Sequence, residues 1–144
     1  MLNISEELLS QIRVHALRDY PNECCGALLG RMSEVGRDVV DLLPLTNRRS
    51  DSLRNRFILT PEDFLEAEQR AAAQKLEVLG WYHSHPDHPA RPSDYDREHA
   101  WPWYSYLIVA VTAHAANEIT SWQLEENRKN FRREEIRVFL PVQT

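Results

Sequence analysis

The sequence predicts a mixed α/β domain in which a single mixed β-sheet is flanked by helices. Three observations carry that expectation. Apolar runs of strand length recur along the chain, at Cys25 to Met32, Glu77 to His83 and Tyr104 to Val111. Helix-start signals stand between or before them, at Ser5, Thr60 and Ser93. The length, 144 residues, suits one domain over 1–144 with a core of useful size.

In chain order, Asn3 or Ser5 caps a first helix running to about Arg18, with Leu8, Leu9, Ile12 and Ala16 as its apolar stripe. Tyr20-Pro21-Asn22 breaks it. Cys25 to Met32 and Asp38 to Leu45 read as strands joined by a turn around Val35-Gly36-Arg37. Thr46 to Asn55 is polar and irregular, and Arg56 to Leu59 is a short strand. Thr60-Pro61-Glu62-Asp63 is a strong helix start, with Thr as cap, Pro in the first helical position and acids behind it. That helix runs to about Lys75 and carries Phe64, Leu65 and Ala72 near one face. Glu77 to His83 is mostly apolar, so it reads as a buried strand. Ser93-Asp94-Tyr95-Asp96 opens a short helix. Tyr104 to Val111 is a central strand, Ala115-Ala116-Asn117 a turn, Glu118 to Leu124 a hairpin partner, and Ile136 to Leu140 the last strand. There is no repeat, low-complexity segment or interdomain linker.

Composition excludes some functions. With 22 acidic and 17 basic residues the net charge is −5, which argues against a nucleic-acid binder. No apolar run is long enough to span a bilayer, so no membrane role is expected. The start, Met1 to Glu7, is acidic and lacks a signal-peptide core. The only cysteines, Cys24 and Cys25, are adjacent and read as reduced thiols, which points to a cytoplasmic protein. No second pair exists to complete a four-cysteine metal site.

The chemistry concentrates in Gly80-Trp81-Tyr82-His83-Ser84-His85-Pro86, followed by Ser93 and Asp96. Side chains alternate along a strand, so His83 and His85 point the same way. Pro86, Pro89 and Pro92 then force the chain to turn. Ser93 and Asp96 share a helix face. A loop returning over the strand end brings Asp96 beside both histidines. Two imidazoles and a carboxylate suit Zn²⁺ and leave a fourth position for water. Taken separately, the His-x-His is compatible with two ordinary half-buried histidines, and the Ser-x-x-Asp with a plain helix cap.

Taken together, these residues resemble the signature of the JAMM/MPN+ zinc metalloproteases. That family also carries a glutamate well upstream, just before a strand, and Pro21-Asn22-Glu23-Cys24-Cys25-Gly26-Ala27-Leu28-Leu29-Gly30 supplies Glu23 in that context. The resemblance runs from the first helix to about Trp122. It implies the JAMM fold, similar to that of cytidine deaminases. It implies His83, His85 and Asp96 as zinc ligands, Glu23 as general base and Ser93 as hydrogen-bond donor to the oxyanion. This chain is most similar to the compact bacterial members, which are associated with ubiquitin-like sulfur-carrier proteins. The expected activity is therefore hydrolysis of a peptide-like bond at the C-terminal tail of such a protein. The alternatives are a non-enzymatic MPN scaffold and a peptidase of cell-wall or phage-tail peptides. A zinc deaminase needs His-x-Glu and Pro-Cys-x-x-Cys, and the chain has neither.

Outside the motif, His88 and His99 are either partners of the site or solvated histidines. Trp101, Trp103 and Tyr104 either line a groove for an extended tail or pack a sheet edge, and packing is the expectation. Arg48, Arg49, Arg54 and Arg56 form a basic stretch suited to an acidic partner or to a solvated loop. Nothing in the sequence sets an oligomeric state.

Overall fold

The computed structural model describes residues 1–46 and 59–140. The polar stretch after Thr46, the strand expected from Arg56 and the arginines at 48, 49, 54 and 56 lie outside the described residues. In chain order the elements are β1 (Leu2–Ser5), α1 (Glu6–Asp19), β2 (Cys25–Ser33), β3 (Gly36–Leu45), α2 (Pro61–Ala73), β4 (Glu77–Pro86), α3 (Asp94–His99), β5 (Ser105–Val111), β6 (Ala116–Leu124), β7 (Phe131–Glu134) and β8 (Ile136–Phe139).

Each helix begins where a side chain can take up an orphan backbone N–H. The Ser5 hydroxyl accepts from the Leu8 amide at 3.2 Å and starts α1. Thr60 and Asp63 form a reciprocal capping box at the start of α2, with Pro61 in the first turn. Ser93 and Asp96 do the same for α3.

The strands form one eight-stranded mixed sheet in the order β7-β6-β5-β4-β2-β3-β1-β8. β4 lies parallel to β5 and antiparallel to β2. The parallel β4–β5 pair needs a crossover, and the crossover contains α3. β4 is buried from Val78 to Pro86, as a strand covered on both faces must be. On one face, Leu9, Ile12 and Ala16 of α1 pack with Leu28, Leu79 and Leu107. On the other, Ala67 and Ala71 of α2 pack with Ala27, Leu29 and Trp81. Gly26 is required on the first face, because a Cβ there would run into the Tyr82 ring.

Two strands were not legible beforehand, β1 and β7. The turn expected at Ala115-Ala116-Asn117 is displaced. Thr112 and Ala115 close the turn by an N–H···O bond of 2.8 Å, and buried Ala116 already belongs to β6. β7 and β8 sit at opposite edges of the sheet although Glu135 alone separates them, so the sheet curls until its edges approach.

At the end of β4 where the sheet curls, Arg37 donates to the Leu79 carbonyl (3.0 Å), the Ser105 hydroxyl (3.1 Å) and the Trp103 carbonyl (2.5 Å). Ser105 and Ser121 donate to Oε1 of Glu134 at 2.8 and 2.9 Å. Burial lowers the Arg37 pKa, and Glu134 opposes that shift. No helix among the described residues is long and apolar enough to cross a membrane.

Candidate active site

The opposite end of β4 carries the histidines. Alternation puts Trp81, His83 and His85 on the α2 side and Tyr82 and Ser84 on the α1 side. The Ser84 hydroxyl accepts from the Cys24 amide at 2.8 Å, which ties β4 to the entrance of β2 beside Glu23. His83 is 1% exposed and Glu23 2%.

α3 brings Asp96 to both imidazoles. Its Oδ1 lies 3.3 Å from His83 Nε2 and its Oδ2 lies 3.1 Å from His85 Nε2. The two Nε2 atoms are 3.2 Å apart. Glu23 stands a little farther off, with a carboxylate oxygen and one nitrogen of each histidine all within 4.8 Å of one another. Four of the five expected site residues thus converge.

The hydrogen bonds around His85 say what this convergence is for. Its Nδ1 lies 2.9 Å from the Pro89 carbonyl, which can only accept. Nδ1 therefore carries the hydrogen, and in the neutral ring Nε2 is a bare lone pair. That lone pair faces a carboxylate oxygen at 3.1 Å. Two acceptors at this distance repel unless a proton on Nε2 or a metal cation lies between them. A donor set of two imidazoles and a carboxylate fits a divalent metal such as zinc.

The electrostatics agree. Burial lowers the His83 pKa and outweighs the opposing pull of Asp96, so the imidazole is neutral and ready to ligate at pH 7. Burial alone would raise the Asp96 carboxyl. The charge and N–H groups that His83 and His85 present when protonated outweigh it, and the carboxyl is held below the usual carboxylate range, a role that a bound cation would take over from those protons.

Residues 5–125 match the family described as prokaryotic homologs of the JAB domain. The chain belongs to this JAB-domain family. A desampylase from Haloferax volcanii is 35% identical over 114 residues, covering 76% of this chain and 80% of that protein. A probable TtuB-protein conjugate cleaving protease from Thermus thermophilus is 34% identical over 111 residues, covering 77% of this chain and 71% of that protein. The fold matches a JAB1/MPN domain protein from Archaeoglobus fulgidus with a TM-score of 0.60 at 23% identity, over 94% of this chain and 97% of that one. The expected JAMM/MPN fold is thereby borne out.

In this JAB domain Ser93 is exposed at the N-cap of α3. Its hydroxyl accepts from the Asp96 amide at 3.0 Å, and its own amide donates to Asp96 Oδ2 at 2.9 Å. A hydroxyl has one donor and two acceptor positions, so the Ser93 proton remains available to a substrate oxygen. The same serine therefore caps the helix and orients the carboxylate.

A cavity of about 940 Å³ opens beside His83 and Asp96, walled by Phe64, Leu65, Tyr95, Trp101 and Tyr104. A second, of about 630 Å³, borders Glu23 together with Asp19, Tyr20, Asn22 and Thr46. The aromatic segment thus divides. Tyr104 packs edge-on against Trp81, with ring centroids 5.6 Å apart. Trp101 is 56% exposed on the cavity wall, so sheet-edge packing does not describe it. Trp103 lies beneath the Arg37 guanidinium, 4.5 Å from its ring centroid.

His99 stacks on Tyr95 and directs Nδ1 to the Tyr95 carbonyl at 2.9 Å, while His88 is exposed. Neither joins the histidine pair. Both cysteines are free, and both are buried. Burial pushes the Cys24 thiol up to about 12 and Cys25 upward as well, which leaves both protonated and unreactive at neutral pH.

Proposed function

We propose that this protein is a zinc-dependent hydrolase that cuts a peptide-like bond at the C-terminal tail of a small ubiquitin-like protein. The observation that carries the reading is the convergence of His83 Nε2, His85 Nε2 and the Asp96 carboxylate, at 3.1–3.3 Å from one another. The ubiquitin-like substrate is supported by the names of the relatives, a desampylase and a conjugate-cleaving protease.

His83, His85 and Asp96 would hold the zinc, which supplies a Lewis acid and a water acidified to a pKa of about 7. Glu23, buried and within reach of both imidazoles, takes the proton of the attacking water and delivers it to the leaving nitrogen. A proton shuttle of this kind contributes about 10²–10⁴-fold in rate. Ser93 donates its hydroxyl proton to the oxyanion, an interaction worth about 3–4 kcal/mol in comparable sites. Aromatic side chains line the cavity beside His83, a surface suited to an extended chain such as a tail ending in glycines.

The test is cleavage of ubiquitin-like carrier proteins bearing short C-terminal extensions, followed by intact mass. A product ending at the carrier's terminal glycine, formed with zinc and suppressed by a chelator, supports the reading. An intact carrier, with cleavage of a cell-wall peptide under the same conditions, would transfer the site to a different substrate class.

A further inference from the structure

The loop from Pro86 to Pro92 supplies the carbonyl that orients His85, yet its prolines deny it regular hydrogen bonding. Within it the Arg91 amide donates to the Pro89 carbonyl at 2.9 Å, and the rest of the fastening comes from outside. Part of the fastening is near its start, where the Asp87 amide donates to the Val111 carbonyl at 2.7 Å and the Tyr20 hydroxyl donates to the Asp87 carboxylate at 2.8 Å. The rest is on β6. The Ala90 amide donates to Oε1 of Glu118 at 3.1 Å, and the Ala90 carbonyl accepts from the Thr120 hydroxyl at 2.5 Å. Trp122 Nε1–H donates to that same hydroxyl at 2.8 Å. Ala90 is completely buried.

Sheet register explains why β6 can do this. Cys25 pairs with His83, His83 with Ile108 and Ile108 with Thr120, so Thr120 sits in the same cross-strand row as the histidine. Two strand spacings, about 10 Å, separate them. The loop therefore crosses in front of β5 and lands on β6.

The Ala90 amide and the Pro89 carbonyl belong to one peptide unit. In a trans peptide its N–H and C=O point in opposite directions. Glu118 thus accepts from one end of this unit while His85 Nδ1–H donates to the other. We infer that Glu118 and Thr120 are positioning residues of the metal centre, acting on His85 through the Pro89–Ala90 peptide. The Glu118 carboxylate polarises the peptide and strengthens its carbonyl as an acceptor, because hydrogen bonds in series reinforce one another. Thr120 fixes the far side of Ala90. Together they hold the His85 hydrogen on Nδ1 and the lone pair on Nε2 toward Asp96. A carboxylate that orients a ligating histidine is a familiar outer support of metal sites; here a peptide plane is interposed.

This inference rests on His83, His85 and Asp96 being the metal ligands, so the experiment carries its own control. Zinc affinity is measured by chelator competition for the wild type, Glu118→Ala, Thr120→Val, Thr120→Ser and His85→Ala. The His85 tautomer in the metal-free protein is read from the imidazole ¹⁵N shifts. Glu118→Ala and Thr120→Val should each weaken zinc by about tenfold, in the range typical of outer-support changes. They should also move the His85 hydrogen away from pure Nδ1. Thr120→Ser, which keeps the hydroxyl, should restore both readouts. Wild-type affinity and tautomer in Glu118→Ala and Thr120→Val overturn the inference, even if their melting temperatures fall, since a packing role alone would not fix a tautomer. Wild-type zinc binding in His85→Ala instead overturns the metal-centre reading itself, and the inference with it.

Discussion

The two ends of β4 each bury a cluster of charged and polar groups, and the clusters are built on opposite logic. At the closed end every acceptor meets a donor. Arg37 donates to two carbonyls and a serine, and Ser105 and Ser121 pass their protons to Glu134. At the other end two imidazole nitrogens and a carboxylate converge within 3.3 Å of one another, beside a cavity. A buried polar cluster whose bonds close on themselves holds strands together. One that converges acceptors on a point asks for a cation and a substrate. Burial is the same in both, so burial alone does not mark function; the direction of the hydrogens does.

Glu23→Gln is the sharpest way to break the comparison. It should lower the hydrolysis rate by about 10²–10⁴-fold while leaving the urea unfolding midpoint near that of the wild type. A large loss of stability without loss of rate would place Glu23 with the closing cluster. Glu134→Leu should do the reverse. It strips the buried Arg37 of its counter-charge and should cost about 3–5 kcal/mol in denaturant unfolding, with zinc affinity unchanged. A parallel fall in zinc affinity would show that the two ends are not independent.

Gly26→Ala probes the strand beside Glu23 from the α1 side. The new methyl meets the Tyr82 ring, and overpacking of this kind costs about 1–3 kcal/mol. The smallest effect concerns His15, whose Nδ1 lies 2.7 Å from the Tyr82 hydroxyl and whose Nε2 lies 3.3 Å from Asp19. Burial lowers the His15 pKa below 6.5, against the pull of Asp19. The unfolded chain therefore takes up the proton first, and stability should decline as pH falls below 6.5. His15→Gln should flatten that part of the metal-free protein's stability profile, and an unchanged slope would assign it to other groups.

Most of the strands and all three helices were legible because each carried a local signal, either an apolar run or a capping residue. β1 is four residues running straight into the Ser5 cap, so helix signals masked it. β7, Phe131-Arg132-Arg133-Glu134, has no apolar alternation and exists through its pairing with β6. The convergence of His83, His85 and Asp96 was legible through the compact spacing of His83, His85, Ser93 and Asp96. Glu23 was legible through resemblance, since an acid after a turn looks like any surface carboxylate. Glu118 and Thr120 had no signal in the sequence. They reach the site through sheet register and a loop that crosses a strand, and register is a property of the folded sheet.

The most direct test of the metal centre is the zinc content of protein purified without chelator, compared among the wild type, Asp96→Ala and Glu23→Gln. The account predicts stoichiometric zinc in the wild type and in Glu23→Gln, and none in Asp96→Ala. Zinc retained in Asp96→Ala but lost in Glu23→Gln would make Glu23 the third ligand and contradict the division of roles described above.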